Sequence, residues 1–329
     1  MEKPQSGSSV AVLGAGAWGT ALAILLAKNG QQVGLWDHDA ALLALLSQER
    51  RHTRYLPEVA FPDQLFIRSS LEEALNNADT LVVVVPSQAF ALLLAAMQPL
   101  LRPVHRIVWA TKGLERGTAA LLHTVFERVL GTRYPYAVLS GPSFALEVAL
   151  GLPTAVTVAS KDTVFAEVLK ALFENASFGI QLSDDMIGVQ LGAVFKNVLA
   201  VAVGLSDGVQ FGANARAALM TQGLAQMMQL GTAMGARPET FMGLSGCGDV
   251  ILTCTDNQSR NRRFGLALAE GLSVDQALAR IGGVVEGLYN VEQLRDLAKH
   301  HGLSLPIVEQ VFAVIEQQIS ARDAIKALF

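Results

Sequence analysis

The feature that most constrains the fold is a glycine-rich motif that directly follows a short apolar run. Val10–Leu13 leads into Gly14-Ala15-Gly16-Ala17-Trp18-Gly19, and a helical pattern then continues to about Asn29-Gly30. A strand that passes through G-x-G-x-x-G into a helix presents backbone N–H groups and the positive helix end to a pyrophosphate, and the glycines permit its close approach. The motif therefore predicts a dinucleotide-binding unit that uses Gly14, Gly16 and Gly19. A tight strand-to-helix turn without a ligand is the alternative interpretation.

The type of dinucleotide depends on the residues after the second predicted strand. Asp37 lies where dinucleotide folds place the residue that contacts the adenosine ribose. Its carboxylate can accept from a ribose 2′-hydroxyl and repels a 2′-phosphate, which favours NAD. His38 and the arginines of the following segment, Arg50, Arg51 and Arg54, could instead neutralise a 2′-phosphate. The sequence leaves both NAD and NADP open.

Short β-branched runs alternate with helical patterns from Ser9 to about Ser183. This alternation is typical of βαβ units, so we expect a Rossmann-type, doubly wound parallel sheet. The clearest strand candidates are near-continuously apolar, as buried parallel strands are. They are Val10–Leu13, Gln32–Trp36, Thr80–Val85, Arg106–Trp109, Tyr136–Leu139 and Ala155–Val158, with a weaker one near Leu65–Ile67.

The pattern changes after about Asp184, where long Ala-, Leu- and Met-rich stretches with a helical period take over. The predicted helices include Ile187–Gly204, Ala213–Met234, Asn261–Gly271 and Leu288–His301. We therefore expect two domains in this α/β chain: a dinucleotide-binding domain over residues 1–190 and an all-α domain over residues 191–329.

Composition excludes several classes of protein. Although 51% of the 329 residues are hydrophobic, the apolar stretch Leu81–Met97 is interrupted by Pro86, Ser87 and Gln88, and falls short of the about 20 residues that span a bilayer. The net charge of −4, without long charged runs, argues against nucleic-acid partners and anionic membrane surfaces. Two cysteines give no disulfide framework, and Met1–Ser9 has no apolar signal core. We expect a soluble cytoplasmic protein.

Two lysines lie in apolar surroundings, which is unusual in a chain with only 16% charged residues. Lys112 follows a predicted strand at the carboxyl end, where open α/β sheets bind ligands. Lys196 is the single charge in the apolar helix segment 192–200. Burial lowers the pKa of an ammonium, so Lys196 is a candidate acid/base that protonates a ketone oxygen as hydride arrives. The alternatives are a surface-reaching Lys196 and a solvated Lys112.

A polar segment follows in the helical half. Asp249, in Gly246-Cys247-Gly248-Asp249, could bond a substrate hydroxyl or a lysine, or could simply occupy a turn. Ser259, Arg260 and Asn261 at a predicted helix start combine a guanidinium, an amide and N-terminal donors, which suits a small phosphate. A basic helix cap is the alternative. The spacing of Cys247 and Cys254 does not predict a metal site.

Several motifs together resemble the bacterial NAD(P)-dependent glycerol-3-phosphate dehydrogenases, along nearly the whole chain. The matching segments are Gly14 to Ala23, Val84-Val85-Pro86-Ser87-Gln88, Ala110-Thr111-Lys112-Gly113-Leu114, Ser140-Gly141-Pro142-Ser143-Phe144-Ala145, Lys196-Asn197, and Gly246 to Asn261. The resemblance implies a Rossmann domain followed by an all-α domain of the 6-phosphogluconate-dehydrogenase-like type. It also implies reversible hydride transfer between NAD(P)H and dihydroxyacetone phosphate, giving sn-glycerol 3-phosphate for phospholipid synthesis in a cytoplasmic homodimer.

The resemblance also assigns residues to roles. It implies that Lys196, Lys112 and Asp249 are the catalytic residues, with Lys196 as the acid/base. The implied substrate-binding residues are Lys112, Gly141, Ser143, Lys196, Asp249, Ser259, Arg260 and Asn261. The implied cofactor contacts, besides the glycines of the motif, are Ala17, Trp18, His38, Lys112, Ala145, Arg260, Val284 and Glu286. Asp37 departs from the small residue that often precedes His38 in this family, which puts NADP preference in question.

Two other functions share these features. A β-hydroxyacid dehydrogenase has the same domain order, but its Lys-x-x-x-Asn pattern is missing, because Ala200 stands four residues after Lys196. A nicotinamide-sensing regulator without turnover could use the same fold, although two buried lysines serve no purpose in a pure binder. The Arg-rich segment from Gln48 to Pro62 is a candidate for a loop that moves over the cofactor.

Overall fold

The computed structural model describes residues 9–329, so the expectation about the first eight residues lies outside the described part of the chain. The contacts divide the chain into two compact units, residues 9–111 with Leu122–Met186, and Lys112–Leu121 with Ile187–Phe329. The first unit contains the strands and the second is helical. The domain limits at residues 190 and 191 stay a prediction.

The strands all belong to the first unit. They are β1 (Ser9–Leu13), β2 (Gln32–Trp36), β3 (Arg51–His52), β4 (Leu56–Ala60), β5 (Leu65–Ile67), β6 (Thr80–Val83), β7 (Arg106–Trp109), β8 (Tyr136–Ser140), β9 (Thr154–Ala159) and β10 (Phe178–Ser183). Its helices are α1 (Ala17–Lys28), α2 (Ala40–Glu49), α3 (Leu71–Asn76), α4 (Ser87–Met97), α5 (Leu122–Leu130), α6 (Ala145–Leu150) and α7 (Thr163–Phe173).

Eight of these strands form one sheet in the order β10-β9-β8-β7-β6-β1-β2-β5. All neighbouring pairs are parallel except β8 and β9, which pair antiparallel through Val138↔Ala159, Leu139↔Val158 and Ser140↔Thr157. The prediction of a Rossmann-type sheet is confirmed, but the expectation that the sheet is parallel throughout is wrong at this pair. The apolar composition of a strand indicates that both of its faces are buried. It does not indicate whether the strand runs parallel or antiparallel to its neighbour.

Three strands were not expected. β10 lies at the edge of the sheet next to β9, and β3 and β4 form a separate antiparallel hairpin. The hairpin lies inside the segment from Gln48 to Pro62, which sequence reasoning treated as a loop. Its strands are short and carry charged residues and a proline, so they lack the alternation that identifies a strand.

The helices of the second unit are α8 (Met186–Gly208), α9 (Gly212–Ala233), α10 (Pro238–Phe241), α11 (Asp249–Thr255), α12 (Arg260–Ala269), α13 (Val274–Ile281), α14 (Glu286–His300), α15 (Pro306–Ile315) and α16 (Ala321–Lys326). Helix α8 supplies the centre of the core, with Phe195, Leu199 and Val203 fully buried. A helix that is apolar on all sides must be covered on all sides.

Helix α8 also explains the high apolar content of the chain. Among residues 9–329 it is the one helix that is long and apolar enough to cross a membrane. Its most apolar window is 94% buried inside the protein, as in the core helix of a globular unit.

Candidate active site

The glycines of the motif between β1 and α1 have different functions. Gly14 has φ +114°, and a Cβ there would lie 2.4 Å from the Val84 carbonyl oxygen, while a Cβ on Gly19 would lie 1.9 Å from the Gly14 oxygen. Both are therefore required by the chain's own packing. A Cβ on Gly16 would meet no described atom within 4 Å. Gly16 keeps space open at the start of α1, which fits a group that approaches the backbone closely, such as a pyrophosphate.

The backbone N–H and carbonyl of Ala15 in this motif are held by three side chains. Its N–H donates to Asp37 Oδ2 at 2.7 Å, and its carbonyl accepts from His52 Nε2 at 3.0 Å and from Thr20 Oγ1 at 3.3 Å. His52 comes from the β3–β4 hairpin and is 1% exposed. Burial lowers the pKa of His52, so the ring is neutral at pH 7. Sequence reasoning missed His52, because no local pattern marks it.

Asp37 lies at the end of β2 as expected. Besides the Ala15 bond, its Oδ1 accepts from the Asp39 N–H at 3.1 Å and lies 2.8 Å from His38 Nδ1. The Asp37 side chain is 14% exposed, whereas the His38 side chain is 91% exposed. The carboxylate is therefore positioned by the loop, while His38 lies at the surface.

The remaining predicted positions of the first unit lie at the starts of helices or in one turn. Ala17 and Trp18 open α1, and Ala145 opens α6. Ser143 Oγ donates to the Gly141 carbonyl at 3.0 Å, so these two predicted substrate residues are neighbours. Gly141 has φ +146°, which favours glycine.

The second unit brings together the three predicted catalytic residues. Lys196 Nζ on α8 lies 2.7 Å from Asp249 Oδ1, and Lys112 Nζ lies 3.0 Å from Asp249 Oδ2. The side chains of Lys112, Lys196 and Asp249 are 15%, 9% and 1% exposed. One carboxylate thus lies between two ammonium groups, and Thr253 Oγ1 accepts from Lys196 Nζ at 3.0 Å.

The local backbone explains how Asp249 reaches this position. A π-helical turn, Leu244–Gly248, precedes α11, and such turns often occur at functional sites. A Cβ on Gly192 of α8 would lie 2.3 Å from the Ser245 carbonyl oxygen. The missing side chain lets the turn pack against α8 one helical turn before Lys196. Asp249 and Thr253, four residues apart on α11, then face the same ammonium.

The charges and burial of this cluster shift its pKa values. Burial, the largest effect, acts with the Lys112 charge to lower the pKa of Lys196 to about 8, although the Asp249 charge opposes the shift. Burial, the largest single effect, also disfavours the charged form of Lys112, but the charge and hydrogen bond of Asp249 together with the Glu286 charge exceed it, so the Lys112 pKa is raised. Although burial alone would raise the pKa of Asp249, the two lysines hold it below its ordinary value. Lys196 is therefore the member of the cluster that titrates near neutral pH.

A buried chain of amide side chains supports the cluster. Asn261 Nδ2 donates to Asn197 Oδ1 at 2.9 Å, and Asn197 Nδ2 donates to Glu286 and to Asn290, each at 3.0 Å. The chain continues from Asn290 to Gln293, whose Nε2 donates to the carbonyls of Leu114 and Glu115 at 3.1 Å. It connects α8, α12 and α14 to the segment that carries Lys112. Sequence reasoning missed Asn290, Gln293 and Thr253, although Thr253 has the i, i+4 spacing from Asp249.

The predicted phosphate residues lie at the start of α12. Ser259 caps this helix by accepting from the Arg262 N–H at 3.2 Å. Arg260 is exposed and adjoins Gly283, whereas Arg262 is buried and pairs with Asp207. Of the basic residues here, Arg260 is thus placed to meet a ligand. Val284, 47% exposed, follows Gly283 and precedes α14.

The cysteines take no part in a metal centre within residues 9–329, where no group of three His, Cys, Asp or Glu side chains could hold an ion. Cys247 and Cys254 are free thiols. Burial raises the pKa of Cys254 to about 12, so this thiol stays protonated and unreactive.

Comparison with known proteins extends these observations over the whole chain. Family models described as the N-terminus and the C-terminus of NAD-dependent glycerol-3-phosphate dehydrogenase match residues 9–166 and 185–326. A glycerol-3-phosphate dehydrogenase (NAD(P)+) of Haemophilus ducreyi is 51% identical over 320 residues, covering 97% of this chain and 95% of that protein. The protein of the same name from Salmonella newport is 51% identical over 321 residues, covering 97% of this chain and 95% of that protein.

A solved structure gives the same result. The crystal structure of glycerol-3-phosphate dehydrogenase from Coxiella burnetii superposes with a TM-score of 0.94 at 45% identity, covering 98% of both chains. The resemblance inferred from the motifs is confirmed. The chain belongs to the NAD-dependent glycerol-3-phosphate dehydrogenase family.

Proposed function

We propose that this protein is an NAD(P)-dependent glycerol-3-phosphate dehydrogenase that interconverts dihydroxyacetone phosphate and sn-glycerol 3-phosphate. The observation that carries the proposal is the buried Lys112–Asp249–Lys196 cluster, in a chain whose relatives bear that enzyme's name. A binding protein without turnover has no use for a buried ammonium whose pKa lies near 8.

Lys196 acts as the general acid and base. As an ammonium it has three protons, of which Asp249 and Thr253 accept two. We assign the third to the C2 oxygen of the substrate. In reduction, C2 receives hydride while its oxygen takes a proton from Lys196, which becomes a neutral amine. In oxidation the neutral amine removes the hydroxyl proton.

Lys112 and Asp249 keep Lys196 ready for this role. Asp249 orients the Lys196 ammonium through a 2.7 Å hydrogen bond. Lys112 lowers the Lys196 pKa by repulsion, which eases proton release. With all three groups charged the cluster carries one excess positive charge, which favours an oxygen that becomes negative as hydride arrives. Lys112 also contacts the substrate in this scheme.

The cofactor binds at the glycine motif of the first unit. The backbone N–H groups at the start of α1 and the open space at Gly16 support pyrophosphate binding there. We assign further contacts to residues that the family resemblance implies. They are Ala17, Trp18, His38, Lys112, Ala145, Arg260, Val284 and Glu286. When bound, the nicotinamide supplies the hydride in reduction and accepts it in oxidation.

Substrate phosphate is recognised at the N-terminus of α12. The exposed Arg260 guanidinium supplies a charged fork, and Ser259 and Asn261 complete the set. Asn261 already donates one Nδ2 proton to Asn197 and accepts from the Gly287 N–H, so its second Nδ2 proton is the one available to an oxyanion. Gly141 and Ser143 are the substrate contacts that we assign to the first unit.

The cellular setting follows from the same assignment. We place the enzyme in the cytoplasm as a homodimer, where its product serves phospholipid synthesis. Neither nucleic acid nor a membrane is a partner in this scheme.

The test is turnover measured by nicotinamide absorbance. NADH or NADPH consumption with dihydroxyacetone phosphate, and none with free dihydroxyacetone, is expected. Lys196→Met should lower kcat by about 10²-fold or more, because the general acid is lost, while dinucleotide affinity measured by calorimetry changes by less than about threefold.

A matched control is Lys299→Met, which removes an exposed lysine from α14 of the same unit and should leave kcat unchanged. Folding of each variant is checked by thermal unfolding. If Lys196→Met keeps near-normal turnover, the proposed role of Lys196 is wrong. If the unaltered protein binds dinucleotide but turns over no substrate, the proposed enzymatic activity is wrong.

A further inference from the structure

We propose that Asp37 makes this protein select NADH over NADPH, an inference that rests on the proposed dinucleotide-dependent function. The name of the relatives covers both cofactors, and the sequence leaves the choice open between the Asp37 carboxylate and the basic residues that follow it. The surroundings of these groups within the first unit decide between them.

The Asp37 carboxylate is fixed in place by the loop that binds the pyrophosphate. Its Oδ2 accepts the Ala15 N–H at 2.7 Å, and its Oδ1 accepts the Asp39 N–H at 3.1 Å. Turning the carboxylate away would break a bond inside the glycine motif and leave the Ala15 N–H unpaired. The negative charge therefore remains at the end of β2, where dinucleotide folds bind the adenosine ribose.

This charge has opposite effects on the two cofactors. A ribose 2′-hydroxyl can donate to a carboxylate, which adds a charge-assisted hydrogen bond. A 2′-phosphate carries a charge of about −1.5 to −2 at pH 7, so the carboxylate repels it. The partial burial of Asp37, 14% exposed, limits solvent screening of that repulsion.

The neighbouring cations do not compensate. His38 Nδ1 lies 2.8 Å from Asp37 Oδ1, so this ring nitrogen is already engaged by the carboxylate. Arg50 donates to the carbonyls of Pro62 and Leu65, so its guanidinium is held by the backbone of the segment that follows it.

The other arginines between Asp37 and the start of α3 also have partners of their own, apart from one. Arg51 donates to the Pro57 carbonyl at 3.4 Å, and Arg68 pairs with Glu73 at 3.2 Å. Arg54 is the exception: the contact described for its guanidinium within residues 9–329 is with the Tyr55 ring, whose centre lies 5.1 Å away, and neither a carbonyl nor a carboxylate holds it. Arg54 is therefore the residue that the experiment must exclude.

Isothermal titration calorimetry on the substrate-free protein gives the dissociation constants of NADH and NADPH directly. We expect NADH to bind at least about tenfold more tightly than NADPH. Asp37→Asn keeps an acceptor for the Ala15 N–H and removes the charge. It should bring the two constants to within about threefold of each other, mainly by tightening NADPH.

Asp63→Asn removes an exposed carboxylate from the same unit and controls for net charge; it should leave the ratio unchanged. Arg54→Ala should also leave the preference for NADH in place. Equal affinities in the unaltered protein, or a ratio that Asp37→Asn does not change, would overturn the proposal. So would tight NADPH binding that Arg54→Ala abolishes. If neither dinucleotide binds, the proposed function fails instead.

Discussion

At the residue scale, chemistry at this site depends on one lysine, Lys196, whose neighbours act on its charge in opposite directions. Burial and the Lys112 ammonium favour the neutral form of Lys196, while Asp249 and Thr253 favour the charged form. The balance places the Lys196 pKa at about 8, so both protonation states are accessible near neutral pH. A group that gives and takes a proton in a reversible reaction needs that property.

This balance predicts a pH dependence with a definite sign. Reduction requires protonated Lys196, so its rate should fall as pH rises through about 8, while oxidation should rise over the same range. Thr253→Val removes an acceptor from the ammonium and so lowers the Lys196 pKa. The fall in reduction should then move to lower pH by about half a unit or more. The measurement is kcat/KM for reduction at a series of pH values from about 6 to about 10, a range that brackets the Lys196 pKa.

Thr255→Val provides the control, because this exposed threonine on the same helix bonds only the Ile251 carbonyl among the contacts described. Its pH profile should match that of the unaltered protein. A Thr253→Val profile that coincides with the control would mean that another group titrates in turnover.

The sequence identified Lys112, Lys196 and Asp249 because a charged residue among apolar neighbours is a local signal. It did not identify Asn290, Gln293 or His52. Each of these is an ordinary polar residue in its own segment, and each acquires its partner only when distant segments pack together.

At the scale of elements, the turn between β1 and α1 contains glycines with two different roles, one in binding and one in packing. Gly16→Ala should change the free energy of unfolding by less than about 1 kcal/mol, because the φ of −69° at Gly16 suits alanine and the added Cβ would have no described atom within 4 Å. The same Cβ would occupy the space that a pyrophosphate needs. Dinucleotide affinity should therefore fall by about tenfold or more, as measured by calorimetry beside urea denaturation.

Gly19→Ala is the contrasting variant, because its Cβ would lie 1.9 Å from the Gly14 oxygen. It should destabilise the whole unit rather than act on binding alone. Normal dinucleotide affinity in Gly16→Ala would show that the open space is not used by the cofactor.

The β3–β4 hairpin is the second element with a consequence for binding. Through His52 it holds the Ala15 carbonyl, so the segment expected to be a moving loop contains an anchor for the glycine motif. His52→Ala removes that hydrogen bond. We expect the NADH dissociation constant to rise by about three- to tenfold, in line with the loss of one buried hydrogen bond.

His52→Gln retains a side-chain N–H donor and should recover part of the affinity in the same titration. Thermal unfolding of both variants separates a local effect from a loss of folding. If His52→Ala binds NADH as tightly as the unaltered protein, the hairpin does not position the motif for binding.

At the scale of the whole molecule, the buried charges affect stability as well as catalysis. Asp249→Asn removes the carboxylate that lies between the buried Lys112 and Lys196 ammonium groups, so the free energy of unfolding at pH 7 should fall by about 3 kcal/mol. Lys196→Met should cost less, because the Lys112–Asp249 pair remains balanced. Urea denaturation of both variants measures the difference.

Asp296→Asn, which removes an exposed carboxylate from α14, is the control and should change stability by less than about 0.5 kcal/mol. A loss in Asp249→Asn no larger than the control's would mean that the two lysines do not need their partner in the folded protein.

The sequence by itself determined the local features: the strand, glycine turn and helix at the start of the chain, the long apolar helix α8, and the residues that carry unusual charge. These depend on backbone conformation and hydropathy within a few neighbouring residues. The tertiary structure decided the direction of β9, the contact of His52 with Ala15, and the meeting of Lys112 with Asp249 across 137 positions and of Lys196 with Asp249 across 53. Such contacts follow from how distant segments close on one another, and no local pattern encodes that closure.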